Sequence, residues 1–199
     1  MAPAWAARAY GKTLLSGGFA LLCEHGFGLA LALDAMFYCE ARPAEQLCVI
    51  NPQLPDSDWH GGAEGPLGHL ELLFVTVSAF LTSWGYTLAP HRFTLCFDAP
   101  FLSPSEPRQG TFKLHGRSFP VFARGLGQAR KTGLGSSACA VVALLGAAFA
   151  CCGIEEPWTL FWLAYFIVCE MQGGIGSGFD VSVAIFGTQL FKAISAARR

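Results

Sequence analysis

Between Lys131 and Glu155 the chain carries no charged side chain at all, from Thr132 through Ile154. A stretch like that has two possible homes, a bilayer or the interior of a protein. A helical membrane span needs about 20 apolar residues. Here the window opens on Thr132-Gly133-Leu134-Gly135-Ser136, residues of loops and helix starts, so its strongly apolar part extends only from Ala138 to Cys152. A second apolar run, Trp158 to Cys169, is shorter still and is bounded by Pro157 and Glu170. Runs of about 10–14 residues are more often buried core helices. The pattern therefore predicts two packed helices, Ser137 to Cys152 and Pro157 to Gln172, with Gly153 closing the first and Pro157 starting the second. A small membrane protein whose serine-capped helix spans the bilayer is the disfavoured alternative.

Composition sharpens the choice. Charged residues make up 14% of the chain, where about 25% is usual. With 13 Lys+Arg against 14 Asp+Glu the net charge is −1, which excludes a nucleic-acid binder working through a basic face and a disordered polyelectrolyte. So few charges do not coat a free-standing globule of this size, and part of the surface is expected to face lipid or protein from outside this chain. The eight cysteines sit mostly within apolar runs and form no CxxC pair. Buried reduced thiols are expected, not a zinc site or a disulfide framework.

The remainder reads as an α+β domain. Thr13 to Leu15 and Ala20 to Cys23 flank Ser16-Gly17-Gly18, a stretch with hairpin turn chemistry. Leu29 to Glu40 is a long covered strand that Gln46 to Ile50 is expected to pair with, and the Pro- and Gly-rich stretch from Asn51 to Gly68 is a loop. His69 to Trp84 has apolar residues at spacings of three and four, an amphipathic helix ended by Gly85. Arg92 to Asp98 alternates as a strand, and Phe112 to Leu114 and Phe119 to Ala123 are short strand candidates.

Two constellations carry chemistry. In Lys131-Thr132-Gly133-Leu134-Gly135-Ser136-Ser137-Ala138 the glycines let backbone N–H groups turn inward just where a helix starts. A helix N-terminus holds unpaired donors and about half a positive charge, so the segment suits a polyphosphate. The serine hydroxyls have two uses, capping the helix or reaching a magnesium ion that bridges the phosphates. No GxxxxGK[ST] occurs, so this is not a Walker loop. The second constellation is Lys12 with Asp180, each a charge in apolar surroundings that must meet the other or a ligand, because a lone buried charge costs several kcal/mol. Glu170, in an apolar helix one turn before a second glycine loop, either holds a metal or faces water.

Several segments together resemble the phosphomevalonate kinases of the GHMP kinase superfamily: Tyr10 to Gly18, Gly28 to Tyr38, KTGLGSSA at 131–138, Gln172-Gly173, and GSGFDVS from Gly176 to Ser182. The blocks occur in the family's order along the whole chain. The resemblance implies a GHMP-kinase N-terminal fold over residues 1–199, α+β with helices packed on a mixed sheet and a βαβ-type crossover. It implies use of ATP with Mg2+ to phosphorylate 5-phosphomevalonate, giving 5-diphosphomevalonate for isoprenoid synthesis. Under it Lys12 and Asp180 are the catalytic pair, Lys131, Gly133, Leu134, Gly135, Ser136, Ser137 and Ala138 hold the nucleotide, and Gly176, Ser177 and Gly178 hold the acceptor. Ser137 and Glu170 are the metal candidates. Three departures stand out: Tyr10 replaces the family's usual Pro, Gly174 replaces a Lys, and the family's C-terminal glycine-rich domain is not within these residues. A missing C-terminal domain or partner surface is thus expected, with a catalytically silent nucleotide-binding module as the alternative. A cytoplasmic or peroxisome-like location is expected.

Overall fold

The two uncharged runs do become helices, the first laid on the sheet and the second packed against the other helices. A computed structural model describes residues 5–18, 26–54, 58–60, 68–124, 129–174 and 176–192. Its strands are β1 (Trp5–Ser16), β2 (Phe27–Pro43), β3 (Cys48–Ile50), β4 (Trp59–His60), β5 (His91–Phe97), β6 (Arg108–Leu114), β7 (Arg117–Phe122) and β8 (Gln189–Lys192). Its helices are α1 (Gly68–Ser83), α2 (Ser136–Cys151), α3 (Pro157–Met171) and α4 (Phe179–Phe186). The fold class is α+β.

The main sheet runs β1-β2-β5-β3-β4, with β8 joined to β2. It is mixed, because β3 lies parallel to β5 while the other pairings are antiparallel. This corrects the expectation that the strand ending at Ile50 pairs with β2. Both edges of β2 are already taken, by β1 on one side and by β5 and β8 on the other. The segment leaves instead through α1 and returns as β5, the expected crossover. β4 lies inside the stretch expected to be a loop throughout, and the proposed strand Ala20 to Cys23 lies outside the described residues. β6 and β7 form their own hairpin, turned at His115-Gly116 with both residues at positive φ, as a right-twisted hairpin prefers.

Where β5 and β8 leave a gap along β2, side chains finish the ladder. Asp98 Oδ2 accepts the Met36 N–H at 2.9 Å and Thr188 Oγ1 accepts the Ala32 N–H at 2.9 Å, so that these backbone donors keep a partner where no strand supplies one.

One face of the sheet takes the helices, with α2 along β1 and β2 and Phe74 of α1 on Phe93 of β5. The β6–β7 hairpin covers part of the other face through Phe119 on Tyr38 and Arg117, which stacks on Tyr38 and reaches Asp98. Phe93 through Phe97 are consequently all buried, although the strand's sequence alternates. Gln53, fully buried, ties the layers together: its Nε2 donates to the carbonyls of Phe97 and Pro120 and its Oε1 accepts the Phe97 N–H. The described cysteines are free thiols. Burial pushes those of Cys96 and Cys139 up to about 12. Among the described residues no helix is long and apolar enough to cross a membrane.

Candidate active site

Lys12 is aimed by a defect in the sheet. The β1–β2 register shifts between Tyr10 and Gly11, and the bulged chain presses Gly11 so close to its neighbours that a Cβ there would stand 2.9 Å from the Ala35 carbonyl and 2.9 Å from the Phe101 ring. Only glycine fits. The next residue donates its backbone N–H to the Leu134 carbonyl at 3.0 Å, which fastens β1 to the glycine turn. Cys139 of α2 adds a second tie, its Sγ–H donating to the Tyr10 carbonyl at 3.1 Å.

The turn itself has the expected shape. Gly133 and Gly135 both have φ of 81°, the left-handed region in which alternating N–H groups converge into an anion nest. The approach strand is fixed from behind: Thr132 N–H and Oγ1–H donate to the Phe101 and Pro100 carbonyls, and buried Glu106 accepts the Arg130 N–H at 2.9 Å. Lys131, exposed, bridges to Leu102. One expectation is corrected. The residue capping α2 is Gly135, with no side-chain cap bond, because its left-handed backbone turns the serines into the first helical turn. Ser136 and Ser137 are half-buried, and among the described residues their hydroxyls have no partner. They remain open to a ligand. Ala138 is buried beneath them.

The stem of Lys12 lies along Gly135, where a Cβ would stand 3.0 Å from both its Cγ and Cε. Its Nζ sits 4.9 Å from the centroid of the Phe179 ring. Asp180, one residue on, occupies the first turn of α4, and its Oδ1 accepts the Val181 N–H at 3.0 Å. Burial raises the Asp180 carboxyl above the ordinary carboxylate range, while the Val181 N–H and the charge of Lys12 pull it back down. Both charges also act on the Cys139 thiol, Asp180 raising it and Lys12 lowering it. The pair expected from sequence is therefore gathered against α2 without a direct ion pair.

Two cavities open here. One, of about 290 Å³, lies between the sheet and α2 and is walled by apolar residues such as Phe97, Phe101 and Leu144; Lys131, Ser136 and Ser137 also line it. The other, of about 240 Å³, is lined by Asp180, Phe179, Gly176, Ser177, Gly178 and Tyr165 among others. Tyr165 O–H donates to the Gly176 carbonyl at 3.1 Å and holds that loop to α3. Glu170 is exposed on α3 and lines neither cavity. Gly174 has φ of 84° with open space around it, so a lysine there would be strained in this backbone. Sequence reasoning passed over Phe179, Cys139 and Glu106, whose signals, a ring beside an acid and lone polar groups in apolar or proline-rich segments, are too common to stand out.

Residues 122–188 match the family described as GHMP kinases N terminal domain. Phosphomevalonate kinase ERG8 of Gibberella zeae is 28% identical over 98% of this chain and 52% of its own length. The chain thus spans about half the length of that relative. Among solved structures, Streptococcus pneumoniae phosphomevalonate kinase in complex with phosphomevalonate and AMPPNP superposes with a TM-score of 0.71 at 17% identity, over 97% of this chain and 51% of that one. The Lin0012 protein of Listeria innocua gives 0.76 at 18% identity, over 98% and 50%. The family match is confined to residues 122–188, while over nearly its whole length the chain is similar to phosphomevalonate kinases and shares the fold of the GHMP-kinase N-terminal domain.

Proposed function

We propose that this chain is the nucleotide-binding half of an ATP-dependent kinase that phosphorylates 5-phosphomevalonate to 5-diphosphomevalonate. The observation that carries the reading is the gathering of Lys12 and Asp180 beside an open, glycine-built helix start. In this reading the apolar cavity takes the base, the N–H groups of Gly133 to Ala138 take the phosphates, and the second cavity takes the acceptor through the Gly176–Gly178 loop. Lys131 adds charge at the rim.

The reaction joins an acceptor phosphate oxygen to the γ-phosphorus and releases ADP as the bond to the β-phosphate oxygen breaks. The second pKa of a phosphate monoester is about 6, so near neutral pH the nucleophile is already mostly ionised. What remains is to orient two anions and offset their repulsion. Lys12 supplies the charge, and Asp180 positions both Lys12 and the acceptor, with base catalysis secondary.

The residues present also suit magnesium. Among the described residues no three His, Cys, Asp or Glu converge on a site, whereas the unpaired Ser137 hydroxyl stands at the phosphate end. Ser137 would therefore hold an ion that is carried chiefly by the phosphates, and such an ion neutralises their charge when bound. Glu170 is exposed and lines neither cavity, and we assign it no part.

Because relatives are about twice as long, the reading includes a second domain or partner surface closing over the site. A second reading, in which this chain binds nucleotide without turnover, needs only the open glycine turn at the start of α2. Both are tested by assaying ATP-dependent formation of diphosphomevalonate by this chain. Lys12→Met should lower the rate by about 100-fold or more, the loss typical of a donor to developing charge. An Asp180→Ala rate equal to wild type would contradict its role. Nucleotide binding without turnover would favour the second reading.

A further inference from the structure

Gln172 stands where the two cavities meet. Among the described residues only Gln172 and Val168 line both, and Val168 is an apolar, buried side chain. Gln172 is therefore the polar group common to the proposed donor and acceptor sites. Its backbone is fixed by the way α3 ends: Gly173 N–H donates to the Glu170 carbonyl at 3.1 Å and Gly174 N–H to the Cys169 carbonyl at 2.8 Å, with Gly173 at φ of 77°. That double bond pattern over a left-handed glycine is a Schellman cap. From this anchor the side chain leans over the acceptor loop, its Oε1 standing 3.5 Å from where a Cβ on Gly176 would be. Among the described residues its carboxamide makes no hydrogen bond. Gln172 is exposed, so the chain holds a solvent-open amide, with two N–H donors that no described residue takes up, at the border of the two sites that receive phosphates in the reading above.

We propose that Gln172 is a substrate-contacting residue whose carboxamide N–H groups donate to phosphoryl oxygens of donor and acceptor together, coupling the binding of one phosphorylated ligand to the other. The proposal rests on the kinase reading above. A neutral donor suits this place. It bridges two anions without the tight, competing pairing that a lysine would make with either, and a carboxylate there would repel both. Coupling of this kind is reciprocal: whatever the acceptor adds to nucleotide affinity, the nucleotide adds to acceptor affinity.

The test uses the whole chain labelled with 15N, Mg·AMPPNP and 5-phosphomevalonate. The side-chain amide signals of Gln172, identified by their loss in Gln172→Leu, should shift with each ligand separately. By calorimetry, Gln172→Leu should weaken either ligand alone by less than about threefold, yet weaken the second ligand in the presence of the first by about tenfold or more. Gln172→Glu should weaken it further. Unmoved Gln172 signals while the backbone amides of Gly133 to Ala138 shift would overturn the assignment and leave the kinase reading standing. So would a Gln172→Leu loss that is the same with and without the other ligand. Failure of the 133–138 amides to respond to Mg·AMPPNP would sink both.

Discussion

Helices α2 and α3 are close to twins in sequence and opposites in surroundings. Neither has a basic residue in its last turn or an acidic one in its first, and each ends in a Schellman cap, at Gly153 after α2 and at Gly173 after α3. Yet α2 is buried over most of its length, from Ala138 through Phe149, whereas α3 exposes Trp158, Trp162 and Phe166, at 62%, 51% and 52%. The difference is position. α2 lies on β1 and β2 with α3 and α4 beside it, while α3 packs against α1, α2 and α4 and leaves one stripe bare. Hydropathy decided that both segments fold as helices; topology decided which one became the core. Function follows the same division, since α2 offers its N-terminus to the proposed phosphate site and α3 offers its C-terminal Gln172.

The comparison can be broken most forcefully at the inner faces. Phe161 of α3 and Leu145 of α2 are only 3% and 0% exposed, so Phe161→Ala should cost about 3–5 kcal/mol and Leu145→Ala about 2–5 kcal/mol in urea unfolding. A loss at Leu145 alone would mean that α3 is loosely attached. Next in size are the glycines at the ends of α2. Gly135→Ala and Gly153→Ala each place a Cβ in left-handed backbone, at about 1–2 kcal/mol. Gly135→Ala should be the worse, because it also strikes the Lys12 stem while Gly153 has open space.

The packing that hides α2 also penalises the acid laid against it. Burial raises the folded-state pKa of Asp180 above its unfolded value, so the folded protein holds that proton longer than the unfolded chain does. Stability is then fullest below the ordinary carboxylate pKa and falls as pH rises through the raised value. Asp180→Asn should therefore be more stable than wild type at neutral pH, with the difference vanishing in acid, and thermal melts across pH would show it. The smallest effect belongs to the bare stripe: Phe166→Ser should change stability by no more than about 0.5 kcal/mol.

Periodicity made α1, α2 and α3 legible almost to the residue, whereas α4 was not read as a helix. The expected Ser137 to Cys152 is observed at Ser136–Cys151, and His69 to Trp84 at Gly68–Ser83. Strand pairing was not legible, because no local signal says that β2 already has partners on both edges, and so β3 was assigned the wrong neighbour. The glycine turn could be read since glycine at left-handed φ is a local requirement. That Gly135, not a serine, caps α2 could not, because both residue types cap helices well. Lys12 and Asp180 stood out as charges in apolar surroundings, and resemblance added their catalytic role; their approach depends on a β-bulge and on α4 packing against α2, both properties of the assembled fold. Gln172 stood within a recognised motif, but its place between two cavities exists only in three dimensions.

The account turns on whether the start of α2 is a phosphate site, and its two matched glycines provide the control. Calorimetric titration of the chain with Mg·AMPPNP should show binding that Gly135→Ala weakens by about tenfold or more and Gly153→Ala leaves within about twofold, since a factor of ten corresponds to the loss of about 1.4 kcal/mol of contact. Equal losses in the two variants, or a wild-type chain that takes up no nucleotide, would contradict it.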